Sequence, residues 1–137
     1  MAWARAGGAG MIPIDPSLEP LDQWRPGVMT RMLISARNGA TSLCLFEQFV
    51  DPGKGAPTHR HDVEEVLTVM AGVAEVWRDD RRVTVTAGQS VIVPAGVRHG
   101  FTNTGATTLH VQALLAAGYF EARFDDQAET RRRWAPD

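Results

Sequence analysis

In the stretch GKGAPTHRHDVEEVLTVMAG, residues 53–72, His59 and His61 stand one residue apart and two carboxylates, Glu64 and Glu65, follow closely. Side chains alternate faces along an extended strand, so His59, His61 and Glu65, all at odd positions, share a face if the backbone stays extended from the loop into the strand. Glu64 then points the other way. Leu67 and Val69 lie on the same face as the three, which sets these polar groups at the rim of an apolar wall. A further histidine, His99, lies in GQSVIVPAGVRHGFTN, residues 88–103, where a strand ends at Pro94, turns through Ala95-Gly96 and resumes. It is read as the fourth ligand of a metal site. Imidazole nitrogens suit iron, nickel, copper and zinc, and a hard carboxylate extends the range to manganese. Such a set leaves coordination positions open, which chemistry at a metal requires.

The two segments resemble the paired signature motifs of the cupin superfamily. Gly53, His59, His61, Glu65 and Gly72 fill the first motif, and Gly88, Pro94, Gly96, His99 and Asn103 fill the second. The short interval from Gly72 to Gly88 is similar to that of small single-domain bacterial cupins of the conserved-barrel type. The resemblance implies an all-β fold, a single antiparallel jelly-roll barrel. It also implies a divalent metal ion (Fe, Mn, Ni, Zn or Cu) held by His59, His61, Glu65 and His99, and frequent dimerisation.

The elements that must position these residues read as short strands separated by turn chemistry. Strands are expected over 30–35, 41–50, 64–71, 73–78, 82–86, 90–94, 99–104 and 108–115, with Asp79-Asp80 turning a hairpin. The motif glycines and Pro94 are read as turn residues, and Asn103 as bonding nearby backbone. The barrel is expected over residues 21–120. Residues 1–20 are read as a flexible N-terminal extension, with Met11 an equally good beginning, and 121–137 as a C-terminal tail. Within that tail, DDQAETRRRW is expected to make a helical turn outside the barrel.

Composition bounds the rest. A chain of 137 residues, 44% hydrophobic and 22% charged, suits one domain with a real core. A net charge of −2 with interspersed signs offers no basic field, so neither nucleic acid nor a membrane is expected as a partner. A cytoplasmic location is expected because no apolar run reaches membrane length and the start lacks a secretory pattern. The only cysteine, Cys44, is read as a small packed apolar group. The strand TSLCLFEQFV is apolar on both faces, which predicts a homodimer.

Other chemistry-bearing side chains are weaker candidates. One of Glu47 and Gln48 should point inward, Phe101 shares parity with His99 and should wall the pocket, and His110 sits on a poorly alternating strand. Arg98 is read as a surface or dimer-contact residue, and Arg131, Arg132 and Arg133 as a solvated tail. The leading functional expectation is a metal-dependent enzyme of dioxygenase type on a small oxygenated organic substrate, because acids and bases beyond the ligands are scarce. A non-redox isomerase or lyase and a non-enzymatic ligand-binding or sensing barrel are the alternatives.

Overall fold

The computed structural model describes residues 11–136, so the expected disorder of the first ten residues lies outside the described residues. Twelve strands follow one another: β1 Asp22–Arg25, β2 Val28–Ile34, β3 Cys44–Val50, β4 Gly55–Arg60, β5 Glu65–Ala71, β6 Val73–Arg78, β7 Arg81–Thr86, β8 Ser90–Val93, β9 His99–Asn103, β10 Leu109–Leu115, β11 Phe120–Phe124 and β12 Arg131–Arg133. They form two six-stranded sheets, ordered β1-β2-β3-β10-β5-β8 and β12-β11-β4-β9-β6-β7, whose paired strands are antiparallel throughout. This is the all-β jelly-roll barrel expected from the sequence.

Period-two patterning decides what fills it. In β10, Leu109, Val111, Ala113 and Leu115 are buried while His110, Gln112 and Leu114 alternate between them. β3 turns Cys44, Phe46, Gln48 and Val50 to the interior, and β5 turns Glu65, Leu67 and Val69 there. Each fully buried leucine, valine or phenylalanine stabilises the fold by about 1.5–3 kcal/mol over leaving it exposed. Cys44 is buried among them, and burial pushes its thiol up to about 12, so it is an inert packing group. Among the described residues no helix is long and apolar enough to cross a membrane.

Four strands differ from expectation, each for a physical reason. β4 contains Pro57 and begins at Gly55, residues that read as loop; the proline is tolerated because the β4–β9 register shifts between Ala56 and His59. β1 is a short edge strand with one large apolar residue, Trp24. β11 buries Phe120, Ala122 and Phe124 and pairs with β4, so the segment expected to be a tail closes the second sheet. DDQAETRRRW makes no helical turn. Its arginines instead form β12, which pairs with the edge that β11 would otherwise leave open. Of the expected extension, residues 16–18 form a 3-10 turn whose Pro16 carbonyl accepts a hydrogen bond from Arg31.

Candidate metal centre

His59 and His99 are direct cross-strand partners on β4 and β9 of the second sheet. Glu65 opens β5 in the first sheet, and His61 sits in the connection between the two sheets. The four residues therefore meet across the barrel interior. The single extended run that parity assumed is not what brings them together, since the chain turns between His61 and Glu65 and changes sheet. Gly96, with φ 79°, lets the Pro94-Ala95-Gly96 turn fold back so that its N–H donates to the His61 carbonyl at 2.7 Å. One motif's turn thus fixes the other motif's histidine.

His59, His61, Glu65 and His99 are all buried, and one ligand atom from each lies within 4.8 Å of the others. Each imidazole is aimed by its far nitrogen. Nδ1 of His59 donates to the Pro57 carbonyl at 2.8 Å, His61 to the Glu121 carbonyl at 2.7 Å, and His99 to the Val97 carbonyl at 2.8 Å. A carbonyl can only accept, so Nδ1 carries the hydrogen and a neutral ring turns its Nε2 lone pair to the centre. Glu65 faces those nitrogens, with Oε1 at 2.9 Å from His99 and Oε2 at 3.5 Å from His61. Three lone pairs and a carboxylate converging in a buried space need a cation or protons between them. The Nε2 of His61 is buried without a hydrogen-bond partner, and the donor set is compatible with a divalent ion.

The electrostatics of His59 and Glu65 agree. Burial, reinforced by His99 and His61, presses His59 down to about 3, so its ring is neutral and able to donate a lone pair. Burial alone would raise the Glu65 carboxyl, but the close imidazoles of His61 and His99 outweigh it and hold that group well below the ordinary carboxylate range. Burial also works against a charge on His61, yet the Glu65 carboxylate and the Glu121 carbonyl raise it above its ordinary value.

Aromatic rings hold the cluster from outside. Phe124 stacks on His59 at 4.9 Å and Phe120 meets His61 edge-on at 5.6 Å. A cavity of about 30 Å³ adjoins the four residues, walled also by Trp24, Arg25, Gln48 and Phe101. At roughly 10–15 Å³ per water centre, it takes an ion or a couple of waters without rearrangement.

Phe101 lies on the pocket wall as expected, and of the β3 pair it is Gln48 that points inward, donating to Thr30 at 3.1 Å. Glu47 faces outward, held by His110 at 2.7 Å and Arg31 at 3.1 Å, which removes both Glu47 and His110 from the pocket. Arg98 is exposed and bound to Asp125. Asn103 bonds the Val50 and Thr107 carbonyls and receives the Gly105 N–H. Trp24, Arg25, Phe120 and Phe124 are wall residues that sequence reasoning missed, although the alternation of FEARF carried a readable strand signal for the last two.

The family model described as "Cupin domain" matches residues 46–116, just over half of the chain. Protein SchB of Streptomyces halstedii is 37% identical over 87 residues, 63% of this chain and 63% of that protein, so the chain matches less than two thirds of that relative's length. Among solved structures, the polyketide cyclase RemF from Streptomyces resistomycificus is 21% identical with a TM-score of 0.69, covering 93% of this chain and 88% of that one. Oxalate oxidase in complex with the substrate analogue glycolate is 20% identical with a TM-score of 0.72, covering 86% and 66%.

Proposed function

The chain belongs to the cupin domain family, and from that premise we propose that it is a metal-dependent enzyme acting on a small oxygenated organic molecule. The observation that carries this reading is the convergence of three Nε2 atoms and the Glu65 carboxylate on one buried point, with the His61 nitrogen unpartnered there. A divalent ion held by His59, His61, Glu65 and His99 would supply Lewis acidity, or redox chemistry if it is iron, manganese or copper.

The protein's own residues narrow the chemistry. Trp24, Phe46, Phe101, Phe120 and Phe124 surround the cavity with rings against which a flat conjugated substrate would stack once these walls part to admit it, and Gln48 offers an amide among them. Among the described residues no carboxylate or imidazole beyond the four candidate ligands lines this cavity, so a strong general base is not on hand there. That favours a substrate whose protons are already acidic, such as a 1,3-dicarbonyl. In the ring closure we propose, the proton leaves the carbon between two carbonyls and that carbon bonds a further carbonyl carbon. The oxygen of the attacked carbonyl takes the proton, and no electrons are lost. The likeness to a polyketide cyclase over nearly the whole chain supports this non-redox version. The likeness to oxalate oxidase, together with the same shortage of bases, supports dioxygen-consuming chemistry as the second reading.

The test is elemental analysis of the purified protein beside the double variant His59→Ala/His61→Ala. Near-stoichiometric metal in the first, lost in the second while the circular dichroism is kept, is the expected result. Loaded protein is then given an aromatic 1,3-dicarbonyl in an oxygen electrode: product without oxygen uptake selects ring closure, and uptake selects the redox reading. A protein that takes up no metal defeats both and leaves a binding barrel.

A further inference from the structure

A second cavity of about 180 Å³ lies against the first and shares Trp24, Arg25, Phe120 and Phe124 with it. Its remaining wall includes Arg131 and Arg133 of β12, with Gln127 between the strands. The space is therefore an outer chamber that adjoins the candidate metal centre across the same aromatic residues and is lined by three guanidinium groups.

On β12, Arg132 pairs with Glu121, whereas among the described residues Arg25, Arg131 and Arg133 have no carboxylate within 4.0 Å, and Arg131 and Arg133 are open to solvent at the mouth of the chamber. Arg25 donates to the Gly55 carbonyl at 3.2 Å and lies over the Phe124 ring, and Arg133 lies over the Trp24 ring at 4.5 Å. Arg131 donates to the Gln127 amide oxygen at 2.6 Å. Aromatic faces and neutral oxygens thus orient the guanidinium groups without neutralising them. Burial and neighbouring arginines press Arg25 and Arg133 below their ordinary values, and Asp126 and Asp22 oppose this only through space. Unpaired like charges held around a cavity are stabilised by an anion placed among them.

We infer that this chamber is the substrate's anion subsite, in which Arg25 and Arg133, assisted by Arg131, hold a carboxylate carried by the substrate while its oxygenated end reaches the four-residue cluster. The inference rests on the reading of that cluster as a metal site and adds the substrate class: an aromatic or conjugated acid. Arg25, which lines both cavities, would set the distance between the anchored end and the reacting end.

Salicylate and its uncharged amide, salicylamide, are the probes, titrated calorimetrically into metal-loaded protein, into Arg25→Gln/Arg133→Gln and into Arg132→Gln. Arg132 pairs with Glu121 outside the chamber and serves as the control. Metal content is measured on each sample. The expected result is that salicylate binds the unaltered protein and the control alike and loses about tenfold to a hundredfold in affinity in the double variant, as loss of charge-assisted hydrogen bonds implies. Salicylamide should bind all three equally. Undiminished salicylate binding in the double variant at equal metal content would place the carboxylate on the metal and overturn the inference. So would the absence of salicylate binding, or no preference for it over the amide. If the protein takes up no metal yet the double variant still loses salicylate selectively, the anion subsite stands and the metal reading fails.

Discussion

His61 donates its Nδ1 hydrogen to the main-chain carbonyl of Glu121, a residue sixty positions further along the chain, at 2.7 Å. The candidate ligand in the first motif is therefore aimed by β11, outside both motifs. The two ends of that strand hold the cluster as well, because Phe124 stacks on His59 and Phe120 abuts His61. Phe124→Ala should destabilise the fold by about 3 kcal/mol through the cavity it leaves. Because the ring also orients a ligand, metal affinity should fall about tenfold or more. Thermal melts with and without metal check this: equal metal affinity in a folded variant would show that Phe124 is packing alone.

How far the sequence could be read follows from the kind of signal each part carries. β6 spans the expected residues 73–78, and β5, β9 and β10 begin or end within a residue or so of expectation, since their alternation is strong and glycine bounds them. His59, His61, Glu65 and His99 were legible as types and spacing, but their meeting is a tertiary fact. The turn at residues 62–64 puts Glu65 on the opposite sheet, and no local periodicity encodes that. β4 was hidden by Pro57, which only a bulge makes acceptable, and β12 by three consecutive arginines that have no reason to be extended until β11 offers an edge.

Gly100 lies between His99 and Phe101 where β9 passes β4, and a Cβ there would come within 2.4 Å of the Trp77 ring and 2.6 Å of the Ala56 carbonyl. Neither can retreat freely, as Ala56 is in the ladder and Trp77 is tied to Thr58 by a hydrogen bond. Gly100→Ala should therefore cost about 1–3 kcal/mol by overpacking. The displacement acts beside His99, so metal content should fall with it. A variant that melts with the parent and keeps its metal would show that β9 yields without disturbing its histidine.

Acid should unfold the metal-free protein early, and the sign follows from His59. Its folded value of about 3 lies below the ordinary 6.5, so the fold favours the neutral ring. That contribution is present above 6.5 and is lost as pH falls from there through 3, because the unfolded chain takes up the proton first. The depressed Glu65 carboxyl acts in the same direction in its lower range. His61 is raised, and its contribution is complete below 6.5, so it does not oppose this trend there. Melting temperatures should decline between pH 6.5 and 4. A flat profile would mean that His59 is protonated within the fold.

The outer face of the first sheet carries a row of apolar residues in cross-strand register, Leu45 opposite Leu114, Leu114 opposite Val66 and Val66 opposite Ile92. All belong to the alternation that faces away from the core, and Ile92 is 67% exposed. Covering such a row removes apolar surface from water at about 25 cal/mol per Å², and a second copy of the same face is self-complementary by two-fold symmetry. A homodimer closing over this row is therefore proposed, with the Arg31–Glu47–His110 group on the same face setting its polar side. Ile92→Asp places a charge in the row without touching the core. Sedimentation velocity should show a dimer for the parent and a monomer for Ile92→Asp, whereas a parent that stays monomeric at the highest attainable concentration would leave the row as ordinary exposed surface.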